Sequence, residues 1–541
     1  MAKSKIVFSK HLRGWRFVLF NFALSLGNIS VAFMGPSYLA IEPHAAGDLE
    51  GTFVSFMAWS QTNFMLAMSL GFPIGRTLAE RYGAYRVYIV SFLVFAVASY
   101  FCAISPGYLE FLYSRILLGF SGGITFLIGQ ELILNECSPK TKILGVIGWG
   151  ILGLIPFGIA PPVGGWLADE VNWRYIFYIN GFLALIPAGL VGALLYDRGF
   201  HRIYHRFDFV GFLLYAAVMY GVQNILNLGN DFDWFESPFV RRILILTLIA
   251  FPFLIIWIKD RRHPIIDLNL FRYRSFTIGM ISILLGFFTA QGLISLMTVQ
   301  LQTLMDYSST LAGLEFLPMV ILAIPTAIGM ALFSKYVDPR LLACLSLLGF
   351  SAVCYWIGMY DRADWYEQIF WPLFFMGFFL AALLGPLTVI ILRGLSNLEL
   401  LRAAEMLNMF RIALGGMGIT SQGIILYRRE FYHQLHLANH FGGRQYASYD
   451  VLEQFSDQLE KIGMAPRAIA ARAGRLIVQE ANILAMADAY LIGSYVLIGL
   501  AAFIWLVPSN KPSVPLVNQE ELVEEEIGVA DEAEVVNKIT N

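Results

Sequence analysis

The sequence predicts an all-α polytopic membrane protein, on three observations. Of its 541 residues 57% are hydrophobic and only 14% are Asp, Glu, Lys or Arg, where a soluble domain carries about 25% charged residues. With a mean hydropathy of +0.64, too little polar surface remains for a water-soluble globule, which excludes a soluble enzyme. Fourteen predominantly apolar runs reach the length, about 20 residues, at which a helix crosses a bilayer. Finally, Lys and Arg crowd into alternate inter-run segments, as they do when one face is cytoplasmic.

The runs cover 16–38, 52–75, 85–105, 108–133, 142–167, 173–196, 209–229, 239–258, 275–299, 311–333, 340–360, 367–391, 404–427 and 484–507. Gln223, Asn224 and Asn227 dilute the seventh, and Arg241 and Arg242 crowd the start of the eighth; without that pair twelve remain. With the N-terminus inside, the inner segments hold twenty-four Lys and Arg, whereas the short outer loops hold only Arg174, Arg241, Arg242 and Arg362. Both termini are therefore expected in the cytoplasm. The basic stretch at 1–15 precedes a full-length run with no small-x-small cleavage site after it, so the first span is expected to be uncleaved. Residues 508–541, with eight acidic side chains between 520 and 534, read as a disordered acidic tail. A net charge of -2 gives no basic surplus for nucleic acid. Cys102, Cys137, Cys344 and Cys354 stand singly, without disulfide or zinc spacing, and read as packing residues.

Two passages carry more than hydropathy. GRTLAERYGAYR (75–86) is a short basic loop in which Gly75 and Gly83 permit a tight turn and Glu80 can pair with Arg81 or Arg86. GWGILGLIPFGIAPPVGGWL (148–167) has six glycines that would admit a neighbouring helix, and Pro156, Pro161 and Pro162 that would bend it. The first resembles the cytoplasmic signature of the major facilitator superfamily, with Glu80 for the usual Asp. The second is similar to the G-P-x-x-G-G signature of that superfamily's antiporters, with Ala160 for the first Gly and Pro161, Gly164 and Gly165 in place. FLYSRILLGFSGG with Arg115 and Gly119, WRYIFYIN (173–180), PIIDLNLFRYRSF (264–276), LNMFRIALGGMG with Asn408, Arg411, Gly415 and Gly416, and LAMADAY with Asp488 follow in order. Together they resemble the fourteen-span drug:proton antiporter subfamily, the EmrB/QacA type.

The resemblance implies the major facilitator fold: six-helix bundles at 16–196 and 275–507, bridged by two additional central helices within 197–274. It implies substrate exchange by alternating access at the interface of the bundles. It also implies a small-molecule substrate, no cofactor, a proton gradient as the energy source and an inner-membrane location. No GxxxxGK[ST] is present to bind ATP. The family's outer segment, here 428–480, can dock a periplasmic adaptor in two-membrane bacteria, and the amphipathic run 451–463 suits such a contact. His433, His436 and His440 lie there at helical spacing, a pattern that without an added acid on the same face reads as a solvated stripe before a metal site. Multidrug export is the leading expectation; export of one self-made metabolite such as a siderophore, and a non-transporting receptor or scaffold, are the alternatives.

One departure bears on coupling. The family's first span carries Asp in a pattern like L-D-x-T-I-V-N-V-A-L-P, and LGNISVAFMGP (26–36) places Gly27 there. A proton carrier needs a titratable group, so the candidates become Glu131, Glu315 and Glu405, with Glu315 first. Ionised groups inside spans are costly, which singles out Arg115 for a substrate or carboxylate charge, or for a fixed ion pair. Arg411 and Asn408, three residues apart on one helix face, can serve one partner or hold the cytoplasmic gate. Asn63, Gln130 and Gln291 are candidate polar linings, and Trp59, Phe64 and Tyr113 could stack on planar or cationic substrates.

Overall fold

A computed structural model describes residues 12, 14–50, 54–136, 142–196, 207–259, 261, 264–333, 336–359, 366–395, 397–441, 454, 457–458, 460–461 and 465–508. The N-terminal basic stretch apart from residues 12, 14 and 15, Cys137, most of the amphipathic run 451–463 and the acidic tail from 509 onward lie outside the described residues, as does the side chain of His440.

Among the described residues sixteen α-helices have defined bounds, and there is no strand. They are α1 (Trp15–Phe33), α2 (Pro36–Asp48), α3 (Val54–Tyr82), α4 (Ala84–Ile104), α5 (Tyr108–Glu136), α6 (Lys142–Glu170), α7 (Tyr175–Leu195) and α8 (Phe209–Gly229). Then follow α9 (Pro238–Lys259), α10 (Arg274–Thr303), α11 (Ser309–Leu314), α12 (Leu317–Phe333), α13 (Pro339–Ile357), α14 (Tyr366–Leu392), α15 (Asn397–Phe441) and α16 (Pro466–Phe503). Each of the fourteen apolar runs is mainly helical over its described residues. Thirteen of the described helical segments are long and apolar enough to cross a membrane; α3 falls outside that set, since Gln61, Thr62, Asn63, Arg76, Glu80 and Arg81 dilute it. The chain is an integral membrane protein.

Four features depart from the sequence reading. The first span is broken at Met34–Gly35, where Pro36 restarts the helix as α2 in the one position that tolerates a missing N–H. The tenth is broken at Glu315, which caps α11 before α12 begins. The basic passage at 75–86 is hardly a loop: α3 runs through Tyr82 and α4 starts at Ala84, the reversal being made at Gly83 with φ +95°, a conformation that suits glycine. Much of the supposed outer segment 428–480 is helix, because α15 continues to Phe441 and α16 begins at Pro466.

Packing follows two sets of neighbours. In one, α3 lies on α5, α5 on α4, α4 on α7 and α7 on α1; in the other, α10 lies on α15, α14 on α12 and α13, and α16 on α13 and α15. The sets meet along a seam in which α6 packs on α11 and α12, and α3 on α15. Helix α8 pairs with α9 and also touches both α3 and α15.

Candidate functional site

Arg115, on α5, is wholly buried. Its guanidinium carbon lies 4.2 Å from the Tyr38 ring centroid on α2 and 4.3 Å from that of Phe64 on α3. One amino group donates to Gln61 Oε1 at 2.5 Å and another to the Met34 carbonyl at 3.4 Å, an acceptor close to the helix break. Two rings and two oxygens thus replace water around the charge. Nε has no partner, and among the described residues no carboxylate forms an ion pair with it. The carboxyl in electrostatic range is Glu42, one turn past Tyr38 on α2, itself buried with Oε1 unpartnered.

Gly27 is two turns away from this cage. A Cβ there would lie 2.5 Å from Tyr88 Oη and 2.8 Å from Phe92, so the position has no room for a carboxylate in this packing. Glu42 is not marked by hydropathy because it lies beyond the apolar run ending at 38; the structure places it before Pro43 within α2.

At one end of the seam, the end that the Lys and Arg distribution predicts to be outer, α6 offers a bare face. A Cβ on Gly158 would lie 2.2 Å from the Val320 side chain, on Gly164 2.7 Å from the Ser37 carbonyl, and on Gly165 2.0 Å from the Ser309 carbonyl. The Pro161 carbonyl in turn stands 2.4 Å from where a Cβ of Gly313 would be. Gly148, Gly150 and Gly153 face no atom within 4 Å, so only the later glycines of the passage serve close approach. Polar contacts close the same end. Asp169 on α6 accepts from the Thr310 backbone N–H at 2.8 Å and hydroxyl at 2.6 Å, its other oxygen lies 3.3 Å from His44, and Gln302 donates to the Ala40 carbonyl at 3.0 Å.

Glu315 lies just beyond, at the break between α11 and α12. It has no exposed surface, and neither carboxyl oxygen has a hydrogen-bond partner. In the adjoining loop, burial and the nearby Glu315 push the Tyr307 phenol above its ordinary value.

At the opposite end, predicted to be inner, Arg76 of α3 bonds Glu405 of α15 at 2.5 Å and Glu80, one turn on, at 3.1 Å. The partner of Glu80 is therefore Arg76, which the sequence reading passed over; Arg81 stacks on Tyr82, and Arg86 donates to the Tyr85 hydroxyl at 2.9 Å. Glu131 is in electrostatic range of this cluster. Gly75 is close to Ile124 of α5, its missing Cβ 3.2 Å from that Cα. Asn408 links α15 to α5, donating to Gln130 Oε1 at 3.3 Å while accepting from Arg411 at 3.0 Å. Arg411 stands 5.3 Å from the Phe287 ring, and Gln291 packs beside Gly415.

Other candidates disperse. Asn63 turns back to the carbonyl of Trp59 on its own helix at 2.8 Å, and Tyr113 is largely exposed, away from the seam chemistry. His433 and Arg429 both contact Asp488 of α16, at 2.7 and 2.5 Å, while His436 stacks on Tyr432.

A family model described as Major Facilitator Superfamily matches residues 17–418. The chain belongs to that superfamily. Among relatives in this superfamily, the fatty acid resistance protein FarB of Neisseria gonorrhoeae is 29% identical over 469 residues, 86% of this chain and 90% of its own. The multidrug export protein EmrB of Escherichia coli K12 is 27% identical over 505 residues, covering 92% of this chain and 96% of its own. The fold is also that of a superfamily member of known structure: a D-xylose-proton symporter superposes with a TM-score of 0.60 at 14% identity, over 92% of this chain and 100% of that one. As a major facilitator protein the chain is a transporter of small molecules.

Proposed function

We propose that the chain exports amphipathic small molecules, drugs among them, across the inner membrane by alternating access, in exchange for protons and with no bound cofactor. Residues 16–196 and 275–507 act as the two rocking bundles and 197–274 carries the bridging pair. Support comes from the seam: bare glycine faces and a few polar contacts on both sides form a surface that can part and re-form without tearing a packed core. The relatives named for multidrug export and fatty acid resistance have amphipathic solutes in common. The excess of Lys and Arg in the inner segments supports cytoplasmic termini, and the outward extensions of α15 and α16 offer a surface for a periplasmic adaptor.

The observation that carries proton exchange is Glu315. An ionised carboxylate enclosed there without a partner would cost several kcal/mol, on the order of a buried unpaired ion, whereas a protonated one would not. A carboxyl that must be neutral while enclosed and can ionise when the seam opens is a proton carrier. The test is proton release from purified protein on addition of a transported dye, across pH. Release lost in Glu315→Gln and kept in Glu131→Gln supports the assignment; the reverse pattern, or no dye-linked proton movement at any pH, refutes it.

A further inference from the structure

Helix α8, read from sequence as part of a linker, joins both sides of the seam through a buried polar network. Gln223 donates to Asn227 Oδ1 at 2.9 Å and to Thr420 Oγ1 of α15 at 2.8 Å, and Thr420 donates to Asn227 Oδ1 at 2.9 Å. Asn227 Nδ2 donates to Thr62 Oγ1 of α3 at 3.2 Å. Two turns earlier on the same face, the Tyr215 hydroxyl is 2.9 Å from Ser69 of α3, and its ring meets Phe410 of α15 edge-on. Gln223, Asn227, Thr62 and Tyr215 are all buried.

Beside this network the α3–α15 crossing is made by small residues, the Arg76–Glu405 ion pair lying farther along the same two helices. Gly415 and Gly416 of α15 face Met65 and Thr62 of α3, with the missing Cβ of Gly416 3.4 Å from the Thr62 carbonyl. Smooth glycine contacts permit many registers, while hydrogen bonds between fixed donors and acceptors permit few. Gln223 Oε1 has no partner here, but the Gln223 Nε2 donor and both polar atoms of Asn227 are paired; leaving them unpaired among apolar side chains would be costly, so they favour this register.

We infer that α8 sets the register of the seam. Gln223 and Asn227 are positioning residues: they hold α3 and α15 in the closed arrangement and must release Thr62 or Thr420 when the bundles rock. The inference rests on the alternating-access reading, and its test separates the two. Single cysteines are placed at the outer seam (Ser309→Cys) and the inner seam (Asn408→Cys) of the full chain in lipid nanodiscs, and their rates of reaction with a membrane-impermeant maleimide are compared.

Thr420→Val and Thr62→Val are each expected to shift the outer-to-inner labelling ratio in one direction by about three- to eighteen-fold, the size of one interhelical hydrogen bond in a membrane. Combining them should add little, because both cut one network. Thr420→Ser, which keeps the hydroxyl, should restore the original ratio, and Thr247→Val, on the α8–α9 contact away from the seam, should not alter it. The inference is overturned if Thr420→Val labels like the parent, or if Thr247→Val shifts the ratio equally. If neither cysteine ever reacts in the parent chain, the seam does not open and the alternating-access reading falls as well.

Discussion

Arg115 shows what a guanidinium needs in an apolar span: aromatic rings close to it and oxygens to accept its N–H groups. A lysine would keep the charge but lose the planar stacking and the edge geometry. Arg115→Lys is therefore expected to cost about 2 kcal/mol or more of stability, the scale of a desolvated cation–π contact, read as a lower thermal midpoint in detergent; an unchanged midpoint would mean that the rings are only neighbours. Asp338, at the start of α13 and outside its span, behaves differently. The hydrogen bond from Arg340 holds its carboxyl below the ordinary carboxylate range. A depressed carboxyl stabilises the fold above the unfolded value and loses that contribution as pH falls through the folded one. The stability difference between the parent and Asp338→Asn should therefore be flat above about pH 4, the ordinary aspartate value, and shrink only below it. Arg115 and Glu315 were legible in sequence because a charge inside an apolar run stands out. Glu42 and Arg76 were not: one lies beyond the run, and the other is indistinguishable from any positive residue at a helix end until Glu405, 329 positions away, is placed against it.

Among the elements, α6 has the sharpest demand on side-chain size. Gly165→Ala would set a Cβ against the backbone of Ser309 and push α11 away from the seam, at about 1–3 kcal/mol for overpacking and with loss of transport. Gly148→Ala meets open space and, replacing glycine in a helix, should be neutral or mildly stabilising. Side-by-side melting curves and efflux assays of the two variants check this; equal effects would show that the spacing of glycines in α6 does not matter. The sequence showed that α6 was glycine-rich but could not tell which glycines face a neighbour, because 3.6-residue periodicity assigns faces only once the partner helix is known. Helix ends were also poorly legible in α15 and α16, since hydropathy marks where lipid stops and says nothing of where helical hydrogen bonding stops.

Across the whole molecule, the inner contact is an ion pair between chain segments that no local pattern connects. Arg76 and Glu405 are each part-buried and share one bond at 2.5 Å, so their effects should not add. Arg76→Ala and Glu405→Ala are each expected to destabilise the closed inner face, with a coupling of about 0.5–3 kcal/mol in a double-mutant cycle, measured by protection of the inner seam from labelling; additive effects would remove this pair from the gate. Span number, major facilitator membership and the antiporter-like passages were legible because each is a matter of composition or short spacing. The seam was not, because it is made by surfaces that meet only after folding.

The 45 residues of α15 run about 67 Å at 1.5 Å per residue, roughly twice the hydrocarbon thickness of about 30 Å. A single continuous rod thus bears Glu405 near one end, Gly416 and Thr420 along its middle, and the Arg429 and His433 contacts to Asp488 farther on. A tilt started at the Glu405 end is delivered, lever-fashion, to the opposite end of the rod, so a fluorophore perched on that mast would report which way the interior faces.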